Sequence, residues 1–380
     1  MIGFNLTEEQ SVFKQAAREF AENQMKPYAA ELDRREQTFF DPGIVQRFAD
    51  ARLLGLPIPA EYGGAGVDYL TAAIVSEELG AGCAGMTVVA GTTWLAVISI
   101  MLVGSEEQKE RYLPRICEPA GKLAALASTE AEAGSDISAM ETLAVRTGDS
   151  YVLNGRKHYI TNAGLADFYV VFATTNPSKR HAGINAFIVD GDSSGLSVGR
   201  TEDKMGLRAS RNAELVLEDV EVPAGNLLGE EGTGFLVLMQ TLDTSRPCLG
   251  AISVGLARAA YEAALSYARQ RRQYGRLLID NQGVSFMLAD MATAIDAARL
   301  LTWRAAWLTD QGMDSTKASS MSKVNATETA ESVCSKAMDL SGAVGYSKDL
   351  PLEKYLRDAK AMSIYEGANL IQRIIISSAL

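Results

Sequence analysis

The pattern of apolar and polar positions changes twice along the chain and thereby predicts three regions. Up to about residue 118, apolar side chains recur at helical spacing, as at Phe13 and Phe20. From there to about Leu228, apolar residues form short runs rich in β-forming residues and separated by Gly, Asn, Asp and Pro, which predicts strands. Beyond Phe235 the helical spacing returns. The chain is therefore predicted to be α, then β, then α.

Local signals place individual elements within this outline. Thr7–Gln10 and Ser105–Gln108 both fit the capping box, in which a hydroxyl and the third-following Gln satisfy free N–H groups at a helix start. Strands are predicted at Tyr151–Leu153, Phe168–Phe172, Ala186–Val189 and Glu214–Leu217. Long helices are predicted around Arg246–Arg272, Val284–Gln311 and Ala318–Leu340, and a last helix from about Glu366 to the C-terminus.

The longest apolar run, from about Met86 to Gly104, allows two interpretations. Its length approaches that of a membrane span, but it contains Thr, Ser and Gly and ends at the second capping box. A buried helix is the preferred interpretation. The N-terminus opens directly into the first capping box, without a basic and apolar leader, so a soluble, cytoplasmic protein is expected.

Composition excludes several classes of function. The formal net charge of −11 over 380 residues argues against nucleic acid, because phosphate binding needs clustered Lys and Arg. The cysteines are far apart and predict reduced thiols, with neither disulfides nor a zinc site. They are Cys83, Cys117, Cys248 and Cys334. Only two histidines exist, so a mechanism that needs several imidazoles is not expected. No metal ligand is predicted.

Two glycine motifs fail on their own structural requirements. Gly80–Gly85 spells a dinucleotide-binding pattern, but the preceding segment carries Glu77-Glu78 and is predicted to be a helix, whereas that pattern must follow a strand. Gly195–Gly199 spells the hydrolase nucleophile elbow, but both histidines precede Ser197, and the elbow's base follows its serine. The first motif is therefore interpreted as a link between helices, and the second as part of the strand region.

Four segments, in order along the chain, resemble the acyl-CoA dehydrogenase family. They are Ala127–Asp136 with Lys157–Asn162; Arg271–Arg276 with Gln282; Asp339–Tyr346 leading to Glu353–Asp358; and Ile364–Arg373. The resemblance implies an N-terminal helical domain (1–120), a middle β-barrel or sandwich domain (121–230) and a C-terminal four-helix bundle (231–380). It also implies bound FAD, an acyl-CoA substrate, an electron-transfer flavoprotein as partner, and a homotetramer built as a dimer of dimers.

The resemblance assigns cofactor contacts residue by residue. Thr129 and Thr161 would bond the flavin, Tyr159 would stack on its ring, and Ser135 would contact pyrophosphate or substrate. A second set would reach the FAD of a neighbouring subunit: Arg271, Tyr274, Gln282, Asp339 and Gly342. Ala368 would lie beside the cofactor after the catalytic turn.

The sequence departs from the family at several of these positions. The family usually has Pro-Gly at Ala131-Glu132 and Trp at Tyr159, although tyrosine keeps an aromatic face for stacking. Its usual Gln, Gly, Thr and Gln or Glu are replaced here by Asp339, Ala343, Ala368 and Leu370. FAD binding is therefore expected to depend more on Arg271, Gln282 and backbone donors.

Glu366 matches the family's catalytic base, which removes the α-proton of the thioester before hydride leaves the β-carbon. By the same resemblance, Tyr365 and Gly367 would contact substrate, and Asp243 and Arg246 would lie near the CoA moiety. Some family members carry the base one residue before the matching Arg, but Ser245 stands there and cannot act as a base. Glu366 is thus the predicted base.

Other functions on this fold remain open from the sequence. They are an enoyl-CoA reductase, an oxidase or flavin monooxygenase, and a non-catalytic interaction protein. The region that would line the acyl pocket, Leu79–Ser105, has no charge, which disfavours glutaryl-type substrates. Trp94 and Met101 are expected to narrow that pocket, leaving short, branched and alicyclic acyl chains open.

Overall fold

The N-terminal part of the chain is helical, as predicted. The computed structural model describes residues 5–37 and 39–380. The helices are α1 (Glu8–Phe20), α2 (Lys26–Arg34), α3 (Gly43–Asp50), α4 (Tyr69–Val103) and α5 (Glu106–Ile116), and a π-helical turn, Ala21–Met25, joins α1 to α2. Both capping boxes are confirmed: the Thr7 hydroxyl accepts the Gln10 N–H at 3.1 Å, and the Ser105 hydroxyl accepts the Gln108 N–H at 3.2 Å.

The middle part is a mixed sheet. Its strands are β1 (Leu123–Ala127), β2 (Leu143–Thr147), β3 (Ser150–Thr161), β4 (Ala166–Thr174), β5 (Ile184–Asp190), β6 (Leu196–Thr201), β7 (Asn212–Pro223) and β8 (Leu227–Leu228). The four predicted runs are confirmed within β3, β4, β5 and β7. The other four strands were missed because none contains a long run of β-forming residues. Strand β1 is rich in alanine, β2 and β6 are largely exposed, and β8 has only two residues.

Seven of the described strands pair in the order β6-β7-β3-β2-β4-β5-β8, and β1 lies parallel to β4. The antiparallel pair β3–β7 is interrupted by irregularities at Leu153/Gly155 and at Lys157/Ile160. At the second of these Tyr159 has φ +59°, a left-handed conformation, and its side chain is 62% exposed. A bulge re-aims side chains in this way, and here it points an aromatic ring away from the sheet.

The C-terminal part is again helical. Its elements are α6 (Gly234–Gln270), β9 (Arg272–Gln273), β10 (Arg276–Leu277), α7 (Gln282–Asp310), α8 (Thr316–Ser341), α9 (Ala343–Tyr346), α10 (Leu352–Met362) and α11 (Asn369–Ser378). The last helix begins at Asn369, so the prediction of a start at Glu366 was wrong. Glu366 and Gly367 have φ of +54° and +89°, and left-handed residues cannot belong to a right-handed helix.

Helix α4 links the parts of the molecule, and the apolar run that it contains is confirmed as a buried helix. Its side chains contribute both to the core of the N-terminal helices and to the core of the C-terminal bundle. Within the described residues, α4 and α6 are long and apolar enough to span a membrane, yet 67% of the most apolar window of each is buried inside the protein. The apolarity of both helices is therefore explained by the core.

The glycine motif at residues 80–85 lies where α4 crosses other elements. The backbone is extended at Cys83, which breaks α4 into two helical segments and agrees with the predicted link between helices. A Cβ atom on Gly80 would lie 2.5 Å from the Ile252 carbonyl oxygen of α6, and one on Gly255 of α6 would lie 2.0 Å from the Glu77 carbonyl oxygen of α4. Both helices need glycine at these positions because their backbones are in direct contact.

Replacing Gly255 by alanine should therefore force α4 and α6 apart. Overpacking of this kind typically destabilises a protein by about 1–3 kcal/mol, and a clash with backbone places Gly255→Ala at the upper end. Gly225→Ala is the matched control, because nothing lies within 4 Å of its Cβ position. Calorimetric melting of both variants measures the difference, and equal melting temperatures would contradict the crossing.

Candidate active site

The turn between α10 and α11 holds Glu366 between two helices of the bundle. The Ser245 hydroxyl of α6 donates to Glu366 Oε2 at 3.0 Å. Arg246 Nε donates to the Glu366 carbonyl oxygen at 3.2 Å, and Gln372 Nε2 of α11 donates to the same oxygen at 3.3 Å. Both the carboxylate and the backbone of Glu366 are thus fixed by neighbouring helices.

Glu366 lies beside a small, mainly apolar cavity between α4 and α6. The cavity holds about 30 Å³ and is lined by Val88, Gly91, Thr92, Trp94, Ile98, Ser245, Cys248, Leu249, Ile252, Tyr365 and Glu366. Trp94 narrows it, as predicted, but Met101 is not among the lining residues, so that expectation was wrong. Met101 lies nearly two helical turns beyond Trp94 and packs against the N-terminal core. Glu366 provides the only carboxylate in this lining.

Two opposing effects determine the pKa of Glu366. Desolvation by the surrounding apolar side chains raises the pKa above the usual value for glutamate. The hydrogen bond from Ser245 and the positive charges of Arg246 and Lys323 act in the other direction, because they favour the carboxylate. Desolvation dominates, so the site makes the carboxylate a stronger base than one in water.

The backbone N–H of Glu366 takes part in none of the hydrogen bonds that the described residues make. The two carbonyls of the turn, by contrast, are occupied, since Glu366 O accepts from Arg246 and Gly367 O accepts from Lys323 at 3.0 Å. A free N–H next to a base is the arrangement that can polarise a carbonyl whose α-proton the base removes.

The predicted pair Asp243 and Arg246 lies next to Glu366 on α6. Arg246 Nη1 donates to Asp243 Oδ1 at 2.5 Å, and the Thr316 hydroxyl of α8 donates to Asp243 Oδ2 at 2.8 Å. Burial raises the pKa of Asp243, although Arg246 opposes this shift. The structure therefore brings Asp243, Arg246, Tyr365, Glu366 and Gly367 into one cluster.

The predicted flavin contacts of the middle part form a second group. The His158 N–H donates to the Thr129 carbonyl at 2.9 Å, which joins the Thr129 loop to β3. Asn212 Nδ2 donates to the Tyr159 carbonyl at 2.8 Å and to the Thr161 hydroxyl at 3.1 Å. An exposed aromatic ring on the strand that also carries Thr161 fits a planar flavin, which needs a stacking face and hydroxyl donors. Ser135 is exposed on the same loop.

A buried ion pair fixes the loop that carries Thr129. Lys157 Nζ, on β3, donates to Glu130 Oε1 at 2.6 Å, and Glu130 also accepts the backbone N–H groups of Glu141 and Thr142. Burial alone would raise the pKa of Glu130, but these donors lower it. The charged form is therefore retained, and three donors hold Glu130 in the loop.

The second group is tied to the cavity through α4. Asn162, at the end of β3, donates to the Val89 carbonyl of α4 at 3.0 Å and to the Ala124 carbonyl of β1 at 3.1 Å. Val88, the preceding residue of α4, lines the cavity beside Glu366. The end of β3 and the cavity are thus connected through adjacent residues of one helix.

The remaining predicted cofactor residues lie far from this site. All of them are exposed: Arg271, Tyr274, Gln282, Asp339 and Gly342. Arg271 follows α6 and is 26 residues beyond Ser245, which corresponds to roughly 40 Å along a helix. Arg271 is thus well separated from the Glu366 turn within one chain. Ala368, in contrast, immediately follows the Glu366 turn and is the N-cap of α11.

One cluster of the described residues has the composition of a metal site. His158, Glu202 and Glu214 offer three ligand atoms within 4.8 Å of one another. Arg200 already compensates both carboxylates, because its side chain donates to Glu202 at 2.7 Å and its backbone N–H donates to Glu214 at 3.1 Å. One oxygen of each carboxylate is therefore occupied by Arg200, whereas the buried Glu202 Oε1 accepts no hydrogen bond from the described residues.

Several residues of the site were missed from the sequence. Lys323, Gln372 and Asn369 surround the Glu366 turn, and Cys248, Leu249 and Ile252 line the cavity. A buried lysine in a helix has no distinctive sequence pattern. The one available signal was the row of small residues before Lys323, Ala318 to Ser320, which allows another backbone to approach closely.

Comparison with known proteins identifies relatives over the whole chain. Family models described as the N-terminal, middle and C-terminal domains of acyl-CoA dehydrogenase match residues 7–119, 125–220 and 232–380. The short-chain specific acyl-CoA dehydrogenase of Clostridium acetobutylicum is 43% identical over 99% of both chains.

Solved structures agree with these matches. The butyryl-CoA dehydrogenase of Megasphaera elsdenii has a TM-score of 0.96 and 38% identity, covering 100% of this chain and 99% of that one. A chain from a study of the electron transferring flavoprotein of Acidaminococcus fermentans and flavin-based electron bifurcation also has a TM-score of 0.96, with 42% identity over 100% of this chain and 99% of that one.

The hydrogen bond from Ser245 to Glu366 makes a testable contribution to the pKa. Because this donor favours the carboxylate, Ser245→Ala should raise the pKa of Glu366 further. Ser253→Ala is the matched control, since the Ser253 hydroxyl bonds only the Leu249 carbonyl of its own helix. Infrared titration of the protonated carboxyl band, assigned with Glu366→Gln, measures the shift, and a lowered or unchanged pKa would contradict the assignment.

Proposed function

The chain belongs to the acyl-CoA dehydrogenase family, and we propose that it is an FAD-dependent dehydrogenase of short-chain acyl-CoA thioesters. The product is the 2-enoyl-CoA, and an electron-transfer flavoprotein accepts the electrons. The observation that carries the proposal is the Glu366 turn, which places a desolvated carboxylate at the apolar cavity and leaves the adjacent N–H without an acceptor among the described residues.

Glu366 acts as the general base. The α-proton of a thioester is very weakly acidic, so the base must be strengthened and the carbonyl polarised at the same time. Desolvation strengthens Glu366, and its own N–H donates to the thioester oxygen, where negative charge develops. Bound FAD supplies the acceptor for the hydride that leaves the β-carbon. Ser245 cannot replace Glu366, but it orients the carboxylate.

The cavity supports a short acyl group. Its volume of about 30 Å³ is limited by Trp94, whose indole N–H is fixed by the Leu53 and Leu54 carbonyls at 3.0 Å and therefore does not swing away easily. A second carboxylate on the substrate would meet no cation in this lining. Straight or slightly branched acyl chains of a few carbons are the best match.

We propose a homotetramer built as a dimer of dimers, located in the cytoplasm. The support is the separation along α6 of Arg271 from the Glu366 turn, which favours a contact of Arg271 and Gln282 with the cofactor of a neighbouring subunit. Tyr274, at the tip of the β9–β10 hairpin, is fully exposed in the single chain, as a cross-subunit contact would require. The four cysteines are free thiols, which is typical of a reducing compartment.

The Glu366→Gln variant tests the function. Wild-type protein, loaded with FAD, should be bleached by butyryl-CoA, and more slowly by long-chain thioesters. Glu366→Gln keeps the N–H and the side-chain shape, so it should bind FAD and butyryl-CoA but lose reduction by about 10²–10⁴-fold or more, the usual contribution of a general base. Stopped-flow absorbance measures the rate. Bleaching of the variant at the wild-type rate would show that the proton leaves to another group.

The Arg271→Ala variant tests the assembly. A guanidinium holds a diphosphate at fixed charge, so its loss should weaken FAD binding while the chain remains folded. Arg146→Ala removes an equally exposed cation from β2 and should keep its FAD. Flavin content after gel filtration and sedimentation velocity give the result. A fully active, FAD-loaded monomer would be incompatible with a shared site.

A further inference from the structure

Lys323 of α8 is a charged side chain without exposure to solvent, at 0%. Burying an ammonium group is costly unless its N–H donors find acceptors. Lys323 Nζ donates to the Gly367 carbonyl at 3.0 Å and to Asn369 Oδ1 at 2.9 Å. These acceptors lie one and three residues after Glu366, so the charge of Lys323 is used at the Glu366 turn.

The second acceptor is itself fixed. Asn369 Nδ2 donates to the Thr327 hydroxyl at 3.0 Å, one turn of α8 beyond Lys323. The Asn369 backbone N–H donates to the Ser363 carbonyl at 3.1 Å, which closes the loop between α10 and α11. Lys323 therefore connects α8 to a turn whose far end is already anchored to the same helix.

The turn needs such support because its backbone is sterically unfavourable. Glu366 has φ +54°, a conformation that a residue with a Cβ atom adopts only where neighbouring contacts hold it. Arg246 and Gln372 hold the carbonyl of Glu366. Lys323 and Gln372 hold the next carbonyl, that of Gly367. With both carbonyls directed at donors, the N–H and carboxylate of Glu366 are left to face the cavity.

We propose that Lys323 is a positioning residue for the dehydrogenation: by binding the Gly367 carbonyl, it fixes the turn that presents the Glu366 carboxylate and N–H to the substrate. The proposal rests on the function proposed above. It assigns a kinetic role to a side chain whose hydrogen bonds go to the Gly367 carbonyl and to Asn369.

The charge of Lys323 also acts on Glu366. The groups that face it are Glu366 on the turn, Arg246 on α6, and Glu328 and Glu331 on its own helix. Burial, assisted by Arg246, lowers the pKa of Lys323 to about 8, whereas the three glutamates oppose the shift. Below that pH the ammonium is intact and favours the Glu366 carboxylate, so loss of the cation should raise the pKa of Glu366.

Lys323→Met tests the proposal, with Lys336→Met as the matched control. Lys336 lies on the same helix and makes none of the side-chain hydrogen bonds or ion pairs of the described residues. Misplacement of a reacting group by about 1 Å can cost about 10²-fold in rate. Lys323→Met should therefore retain FAD and bind butyryl-CoA in calorimetry, yet be reduced about 100-fold more slowly, while Lys336→Met should match the wild type.

The pH dependence of flavin reduction distinguishes a positioning role of Lys323 from a nonspecific loss of structure. In substrate-free protein, infrared titration of the Glu366 carboxyl band should show a higher pKa in Lys323→Met, and the acidic limb of flavin reduction should move to higher pH by the same amount. A reduction rate within threefold of wild type, or an unshifted Glu366 titration, would overturn the proposal.

A folding defect is handled by a second variant. Lys323→Gln keeps an N–H donor but loses the charge and part of the length of the side chain. If Lys323→Met does not accumulate, the reduction rate and the Glu366 titration are measured on Lys323→Gln instead. If neither variant yields flavin-loaded protein, Lys323 serves folding and the proposal is wrong. If wild type and Lys336→Met are themselves not bleached by any short-chain thioester, the proposed function fails, independently of Lys323.

Discussion

The close crossing of α4 and α6 is the constraint on which the rest of the molecule depends. At Gly80 and Gly255 the two backbones approach so closely that neither residue can carry a Cβ atom. The crossing sets the width of the cavity, whose walls come from Val88 on one helix and Ile252 on the other. Because Ser245 belongs to α6, the crossing also helps to position Ser245 against Glu366. Gly250 extends the same principle to α8, since a Cβ there would lie 2.7 Å from the Ser322 hydroxyl.

The site combines two electrostatic requirements that oppose each other. A strong base needs poor solvation, and the apolar walls raise the pKa of Glu366 accordingly. A buried carboxylate without compensation would, however, simply keep its proton. Arg246 and Lys323 provide compensation through the carbonyls of the turn rather than by a direct ion pair with the carboxylate. The base therefore remains available to a substrate while its surroundings tolerate its charge.

Much of the fold followed from local patterns. The capping boxes at Thr7 and Ser105 were predictable because a helix start is satisfied by residues three apart in sequence. The dinucleotide pattern at Gly80 was correctly rejected, since a helix precedes it. The start of the last helix was wrong because nothing local distinguishes Glu366 in a left-handed turn from Glu366 in a first helical turn. Strand β1, an alanine-rich segment, owes its conformation to its partner β4, which no propensity reveals.

The sequence by itself determined the order of helices and strands, the family resemblance, and Glu366 as the predicted base, because these depend on residue types at fixed spacing. The tertiary structure alone decided the rest of the site. It brought Ser245, Lys323 and Gln372, which are 121, 43 and 6 residues from Glu366 along the chain, around a single turn. It also separated Arg271 from Ser245 on one helix. Such contacts depend on how packed backbones exclude one another, and that exclusion is a property of the folded chain as a whole.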